Sequence, residues 1–352
     1  MIQRVFKRRW VGRAALLVIF VLLLSGCGLV LTPYAAMKKF EHPEVIEAPN
    51  NFDDAFIQGV AEEFGILALF AHVVYREDLR LAGSHDRACA YLDSEVEDRY
   101  GMPYAQDVAE RWMRWKGPKA CIDDRDNGLF YETYIYGGSQ DMPREAVIAF
   151  RGTENFKGQF FQDWKTNLSA LFGFEPAQYR LARAYIPELI AGLQAANKGI
   201  RIQVVGHSLG GGLAQQAGYQ SASVERVVTF NTSPVSNWTY LRLNHEVRNR
   251  YPLIYRIYHG GEILEKVRFI TTAFTATRFN RYDLGLQFDY KKSFEGHAMR
   301  IVSCTLAQMV GAEHHLSDSA AQHYDRQYAR EVVLGSSGLC EADVGKGDMS
   351  DE

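Results

Sequence analysis

Apolar and polar positions along the chain follow two different periods, and each period predicts one kind of element. Apolar residues recur at three- and four-residue steps over 51–74, which is the spacing of one helical face. Further helical patterns cover 176–195, 208–219 and 297–309. Short apolar or aromatic runs, typical of buried strands, cover 129–136, 146–150, 200–205, 224–230 and 253–258. Strands that alternate with helices predict an α/β fold with a mostly parallel central sheet and helices on both faces.

Residues 1–26 have the organisation of an export signal. Five basic residues and no acidic residue occur there, an apolar run covers 14–24, and small residues follow the run. This run is shorter than the roughly 20 apolar residues that a membrane-spanning helix needs. The sequence Leu-Ser-Gly-Cys at 24–27 resembles the lipobox of bacterial lipoproteins. The resemblance implies that Cys27 becomes the lipidated first residue of the mature chain.

The residue after Cys27 is glycine rather than aspartate. In bacterial lipoproteins this implies transit to the outer membrane, so the resemblance predicts a cell-envelope protein that faces the periplasm and is held by an N-terminal lipid anchor. An uncleaved anchor helix is the alternative, because no charged residue occurs from 14 to 37. Both interpretations tether the protein to a membrane and export the rest of the chain.

The remainder of the chain divides into three parts by composition. A proline-containing tether is predicted over 27–50, one folded domain over 51–334, and a tail that is first Gly/Ser-rich and then acidic over 335–352. The formal net charge of the whole chain is −3, and without the five basic residues of the signal it becomes −8. An acidic chain with no basic stripe argues against nucleic acid as a partner.

Four cysteines remain besides Cys27, an even number that permits two disulfides in an exported chain. The more local pairing joins Cys89 to Cys121 and Cys304 to Cys340, and it is the one we predict. Four unpaired thiols are the alternative. No C-x-x-C sequence occurs, which argues against a zinc site built from cysteines.

The sequence Gly-His-Ser-Leu-Gly at 206–210 follows a predicted strand and precedes a predicted helix. A Gly-x-Ser-x-Gly motif in this context places the serine on a tight strand-to-helix turn, where glycines two positions to either side avoid clashes. The motif therefore predicts that Ser208 is a nucleophile. The main-chain amide of Leu209, at the start of the helix, is then a donor for an oxyanion. An ordinary glycine-rich structural turn is the alternative.

Five blocks in order between 149 and 264 resemble the class 3 lipases, the fungal-type triacylglycerol lipases of the α/β-hydrolase fold. They lie at 149–153, 163–168, 206–211, 228–234 and 255–264. The second of these follows closely on the first, as it does in that family, and the last resembles the strand and loop that deliver the catalytic acid there. The resemblance thins outside this span.

The chain order nucleophile, acid, histidine in α/β-hydrolases points to Glu262 as the acid and His297 as the base. The family usually has aspartate where this chain has Glu262, so the longer side chain requires an adjusted loop. The other candidates for the acid are Asp283 and Asp289, and those for the base are His314, His315 and His323. By resemblance, the second oxyanion donor is the amide of Thr153.

Together these features predict a membrane-tethered serine carboxylester hydrolase, a lipase or phospholipase, that cleaves a lipid ester through an acyl-enzyme. The substrate class comes from the resemblance and from the predicted tether. The mechanism requires no metal and no organic cofactor. Two other functions stay open. One is an envelope lipoprotein of the same fold that has lost activity, and the other is a lipase-type toxin or effector.

Overall fold

A computed structural model gives the architecture of the protein. It describes residues 38–39, 54–75, 89, 112–137, 139–152, 175–233, 235, 252–259, 262, 264, 281–286 and 297–311. The predicted signal with Cys27, most of the tether and the acidic tail therefore lie outside the described residues. No helix within the described ranges is both long enough and apolar enough to cross a membrane.

Nine strands within the described residues form one sheet. They are β1 Lys38–Lys39, β2 Met113–Arg114, β3 Cys121–Asp124, β4 Leu129–Tyr136, β5 Glu145–Phe150, β6 Arg201–His207, β7 Val224–Phe230, β8 Leu253–His259 and β9 Arg281–Leu286. The order across the sheet is β1-β9-β8-β7-β6-β5-β4-β2, and β3 pairs with β4. Neighbours from β5 to β1 run parallel, whereas β2, β3 and β5 are antiparallel to β4.

In the described part of the chain, four helices cover the two faces of this sheet. They are α1 Asp54–Val73, α2 Ala177–Ala196, α3 Leu209–Gln220 and α4 Met299–Gly311. Helices α1 and α4 pack together on one face, and α2 and α3 pack on the other. The prediction of a mostly parallel sheet with helices on both faces is therefore confirmed.

Both faces of the central strands are buried, which explains their nearly continuous apolar sequences. In β5, Val147 and Ala149 point to the α1 and α4 side, while Ala146 and Ile148 point to the α2 and α3 side. Burying one such aliphatic side chain stabilises the fold by roughly 1.5–3 kcal/mol. The alternation therefore builds one core on each side of the sheet.

Several elements differ from the sequence prediction. Strand β6 continues to His207, beyond the predicted end at 205, because its last residues pair in register with β7. Strands β2, β3 and β9 were not predicted, and Lys38 and Lys39 in the expected tether pair with β9. The antiparallel position of β4 was also not predicted.

A disulfide joins Cys89 to Cys121, the first residue of β3, with an S–S distance of 2.05 Å. Cys304 in α4 is also disulfide-bonded. Cys340, its expected partner, lies outside the described residues.

A buried charge connects α1 to the sheet. The Arg226 guanidinium on β7 donates from Nε to Gln203 Oε1 at 2.5 Å and from Nη1 to the Glu63 carboxylate on α1. Arg226 is buried and Glu63 is partly buried. Since a buried cation is costly without such partners, this contact favours one placement of α1 on the sheet. That placement matters because the end of α1 lies beside the site described next.

Candidate active site

Ser208 lies at the sharp turn between β6 and α3. Its backbone has φ 54° and ψ −124°, in a region that non-glycine residues rarely occupy. Holding one residue there costs on the order of 1–3 kcal/mol, which the surrounding structure must offset. Three main-chain hydrogen bonds do so. Ser208 N donates to Phe230 O at 3.1 Å, and Ser208 O accepts from Gly211 N at 3.0 Å and from Ser233 N at 2.9 Å.

The glycines of the motif are required by space around this turn. A Cβ on Gly206 would lie 2.3 Å from the carbonyl oxygen of Gly210. A Cβ on Gly210 would lie 2.4 Å from the carbonyl oxygen of Phe150 at the end of β5. Both neighbours are main-chain atoms that cannot rotate away. The strand, the turn and the helix therefore pack so closely that only glycine fits at either position.

His297 lies between Ser208 and Glu262. Its Nε2 is 3.1 Å from Ser208 Oγ, and its Nδ1 is 2.7 Å from Glu262 Oε2. All three side chains are buried, with 8% of Ser208 exposed and 3% of each of the other two. The structure thus brings together the three residues that the sequence placed in the order nucleophile, acid, base. This is the geometry in which an imidazole can take the hydroxyl proton and a carboxylate can stabilise the resulting cation.

Glu262 reaches the imidazole from a turn that follows β8. The turn is held by a hydrogen bond from Glu262 N to His259 O at 3.2 Å. The carboxylate oxygen that meets His297 also accepts from Leu264 N at 2.8 Å. This main-chain donor fixes the longer glutamate side chain, so the extra methylene relative to aspartate is accommodated by the turn. Two contacts on one oxygen thus hold the carboxylate against the imidazole.

The other predicted candidates for the acid and the base cannot be compared with these residues. Asp283 lies in β9, but its side chain is not described. Asp289, His314, His315 and His323 fall outside the described residues.

Of the two predicted oxyanion donors, Leu209 lies within the described residues and Thr153 does not. Leu209 is the first residue of α3, so its amide belongs to the helix N-terminus, where negative charge is favoured. Thr153 lies outside the described residues. The residue before it, Gly152, packs against the turn, since a Cβ there would lie 2.7 Å from His207 O and 3.2 Å from Ser208 Cβ. The chain that leads to Thr153 therefore passes beside the nucleophile.

Three residues around His297 were missed by the sequence analysis. The main-chain oxygen of His297 lies 2.6 Å from His207 Nε2 and accepts a hydrogen bond from Asn231 Nδ2 at 3.1 Å. The hydroxyl of Tyr75, just beyond the end of α1, is 2.7 Å from His207 Nδ1. His207 and Asn231 stand inside the sequence blocks quoted above, which was a signal for them. Tyr75 carried no local signal, because only the tertiary fold brings it to the site.

The environment keeps His207 uncharged. Burial, followed by the nearby imidazole of His297, lowers the pKa of His207 well below its usual value. The two rings have centroids 4.9 Å apart. A neutral His207 therefore places no positive charge beside the imidazole of His297.

Within the described residues, no group of three or more histidine, cysteine, aspartate or glutamate side chains is arranged to hold a metal ion.

Similar solved structures include an acetyl xylan esterase from Paenibacillus sp. R4, which is 12% identical in sequence, with a TM-score of 0.30. The matched region covers 57% of this chain and 86% of the esterase. Esterase B from Lactobacillus rhamnosis is also 12% identical, with a TM-score of 0.29, and covers 80% of this chain and 98% of its own.

Comparisons of sequence are more specific than these likenesses of fold. Over 118 residues the chain is 33% identical to an extracellular phospholipase A1 of Serratia liquefaciens. That match covers 34% of this chain and 32% of the relative, so it spans about a third of the relative's length. Residues 79–322 match the model of the Tle-like phospholipase domain. This match covers more than half of the 352-residue chain, and the chain therefore belongs to the Tle-like phospholipase family.

Proposed function

We propose that the protein is a serine carboxylester hydrolase that cleaves acyl esters of lipids. The observation that carries the proposal is the buried relay from Ser208 Oγ to His297 Nε2 at 3.1 Å and from His297 Nδ1 to Glu262 Oε2 at 2.7 Å. A strained serine at a strand-to-helix turn, with a base and an acid in line, is the arrangement that acyl transfer needs.

The reaction has two halves. Ser208 Oγ attacks the ester carbonyl carbon while its proton passes to His297 Nε2, and the carbonyl oxygen becomes an oxyanion. As this oxygen re-forms its double bond, the bond to the alcohol breaks and His297 returns the proton to the departing oxygen. Water then attacks the acyl-serine, gives its proton to His297, and the fatty acid leaves as Ser208 recovers its hydrogen.

Glu262 and the main chain stabilise the charges that these steps create. The carboxylate of Glu262 faces the Nδ1–H of the imidazolium and is itself held by Leu264 N. The amide of Leu209 stabilises the oxyanion, with the amide of Thr153 as the second donor by resemblance to class 3 lipases. Every proton transfer in the proposed steps therefore passes through His297, and no metal or cofactor takes part in them.

The lipid substrate is supported by two comparisons and by one sequence feature. The family is named for phospholipases, and the Serratia liquefaciens relative is named a phospholipase A1. The Leu-Ser-Gly-Cys sequence at 24–27 supports an N-terminal lipid anchor at Cys27. By resemblance to bacterial lipoproteins, the glycine that follows supports a location at the outer membrane, facing the periplasm. The substrate is then an acylglycerol or a phospholipid, presented at a membrane surface.

The first experiment combines a covalent probe with a substrate panel. Purified protein is treated with a fluorophosphonate, and initial rates are measured on p-nitrophenyl esters of rising chain length, a phospholipid and a triacylglycerol. We expect Ser208→Ala to lose labelling and at least ~10³-fold in kcat on each accepted ester. The control is Ser139→Ala, an exposed serine in the turn between β4 and β5, which should behave as wild type. Undiminished turnover by Ser208→Ala, or wild-type protein that neither labels nor hydrolyses any ester, contradicts the proposal.

The anchor is tested separately in cells. Radiolabelled palmitate should enter the wild-type protein and not a Cys27→Ser variant, and the variant should leave the outer-membrane fraction. Equal membrane recovery without palmitate incorporation would support the uncleaved anchor helix instead.

A further inference from the structure

We propose that His207 and Asn231 are positioning residues that hold the main chain of His297 in register with Ser208, and that Tyr75 orients His207 for this task. The inference rests on the proposed function, because it concerns the geometry of the same relay. Neither the family match nor the named relative assigns a role to these three residues. Its basis is a chain of hydrogen bonds that converges on one carbonyl oxygen.

The chemistry of that carbonyl fixes the tautomer of His207. A main-chain oxygen can only accept hydrogen bonds, so the His207 Nε2 that lies 2.6 Å from it must carry a hydrogen and donate. In a neutral ring the other nitrogen, Nδ1, is then an acceptor. The Tyr75 hydroxyl at 2.7 Å from Nδ1 must therefore be the donor in that pair. Tyr75 therefore donates to His207, and His207 donates to the main-chain oxygen of His297.

Asn231 contributes the second donor from the sheet itself. Its Nδ2 donates to His297 O at 3.1 Å, while its Oδ1 accepts from His259 N at 2.8 Å. One partner is an acceptor and the other a donor, so the orientation of the amide is determined by its neighbours. Asn231 N also donates to Ile257 O at 2.8 Å. The side chain thus links the ends of β7 and β8 to the main chain of His297.

These contacts complement those on the imidazole. Glu262 and Ser208 meet the two ring nitrogens, which sets the rotation of the ring. The two donors on the carbonyl set where the backbone of His297 lies, just before α4 begins at Met299. A displacement of about 1 Å between reacting groups can cost on the order of 10² in rate. Loss of the donors should therefore lower kcat while leaving substrate binding largely unchanged.

The test compares two variants in which a buried side-chain amide is replaced by a carboxylate of the same shape, once beside His297 and once away from it. Asn231→Asp keeps the acceptor for His259 N and removes the donor to His297 O. The matched control is Gln216→Glu, which makes the same change at another buried amide, one that donates to Tyr179 O at 2.8 Å on the opposite face of the sheet. Both variants should unfold at lower temperature. Only Asn231→Asp should lose roughly 10²-fold in kcat on a p-nitrophenyl ester, at unchanged KM.

A double-mutant cycle tests the path through Tyr75. Tyr75→Phe removes one oxygen and should lower kcat severalfold at unchanged KM. His207→Gln replaces the ring but can still donate to the carbonyl, so it should retain more activity than His207→Leu. Because Tyr75 acts through Nδ1 of His207, adding Tyr75→Phe to His207→Leu should produce no further loss. If His207→Leu fails to fold, Tyr75→Phe and Asn231→Asp carry the test alone.

The outcomes separate this inference from the proposed function. If Ser208→Ala is inactive while Tyr75→Phe and Asn231→Asp keep wild-type kcat, the positioning role is wrong and the proposed function stands. Equal loss of kcat in Asn231→Asp and Gln216→Glu also overturns the positioning role, since the effect would then follow general destabilisation. If Ser208→Ala remains active, the proposed function itself fails.

Discussion

At the residue scale, a single oxygen of Glu262 links the imidazole of His297 to the main chain at Leu264. In the proposed mechanism the negative charge on that oxygen stabilises the imidazolium of His297, and the Leu264 amide keeps the oxygen in place. The proposal thus gives Glu262 an electrostatic role and an orienting role, and a substitution can remove the first without removing the second.

Glu262→Gln separates these roles, because glutamine has the same shape without the charge. We expect kcat to fall by roughly 10²–10⁴, the range expected when a triad loses its acid. The labelling of Ser208 by a fluorophosphonate should slow in parallel. Glu262→Asp keeps the charge on a shorter side chain and should retain more activity than Glu262→Gln. Equal activity of wild type and Glu262→Gln at neutral pH would exclude Glu262 as the acid.

A second prediction at this scale concerns the glycines of the turn. Gly206→Ala places a methyl group 2.3 Å from a main-chain oxygen, so the fold should lose at least about 1–3 kcal/mol in its free energy of unfolding. Gly199→Ala is the matched control, because its new methyl would meet only the Asn197 side chain at 3.5 Å. Chemical denaturation measures both, and similar unfolding midpoints for the two variants would contradict the steric explanation.

Ser208, Glu262 and His297 could be predicted from the sequence because motif and chain order restrict each choice to a few residues. The donors on His297 could not. His207 and Asn231 stand in recognisable blocks, but which atom they face depends on where β7, β8 and α4 end in space. The contact of Tyr75 with His207 is still harder to predict, since the two residues are 132 positions apart in the sequence. Such contacts are set by tertiary packing rather than by local pattern.

At the element scale, α1 is attached at its middle and near its C-terminal end to parts of the molecule that build the site. Glu63, halfway along α1, meets Arg226 on β7, and near the end of the helix His72 Nδ1 lies 2.9 Å from Ser303 Oγ on α4. Tyr75 follows directly. Helix α1 therefore supports both the strand before Asn231 and the helix after His297.

The buried His72 predicts a pH dependence of stability. Burial, and then the charge of Arg300, lower the pKa of His72 to about 4 from 6.5. Between these values the unfolded chain binds a proton that the folded chain does not bind. The free energy of unfolding should thus fall as pH drops from 6.5 to 4, by at most about 1.4 kcal/mol per pH unit from this residue.

His72→Asn provides the comparison, because asparagine can still meet Ser303 but does not titrate. Urea denaturation at intervals from pH 7 to pH 4 should show a shallower slope for the variant. A residual slope of the same sign is expected, since the pKa of the buried His207 is also lowered. Identical slopes in the two proteins would show that His72 does not contribute.

Sequence periodicity predicted well those elements whose own residues form a clear apolar pattern. Strands β4 to β8 are apolar runs between clear breaks, and their predicted bounds lie within two residues of those observed. Strand β3, with the sequence Cys-Ile-Asp-Asp, has no such pattern and exists because it pairs with β4. Strand β9 mixes polar and apolar residues and depends in the same way on β8. Pairing partners, unlike periodicity, cannot be read from one segment alone.

At the scale of the whole molecule, the disulfide between Cys89 and Cys121 closes a loop of 32 residues. It lies at the β3 and β4 side of the sheet, whereas the site lies at the ends of β6, β7 and β8. Its role is therefore expected to be in stability rather than in catalysis.

The double variant Cys89→Ser/Cys121→Ser tests this role without leaving a free thiol from the pair. A loop of this length predicts a loss of about 3–4 kcal/mol in the free energy of unfolding, from the greater freedom of the unfolded chain. The midpoint of guanidinium denaturation without reductant measures the loss. The kcat of the folded variant at 25 °C should equal that of wild type, and a lower kcat with unchanged stability would contradict the assignment.

The distances along the chain between the partners of the site have a consequence for its biosynthesis. His297 is 89 residues beyond Ser208, and Ser303 is 231 residues beyond His72. A nascent polypeptide that ends between residues 287 and 296 already contains Ser208, Glu262 and every described strand, yet it lacks His297. If the proposed mechanism holds, the chain can hydrolyse an ester only after α4 has been synthesised and has docked, so shorter nascent chains are inactive.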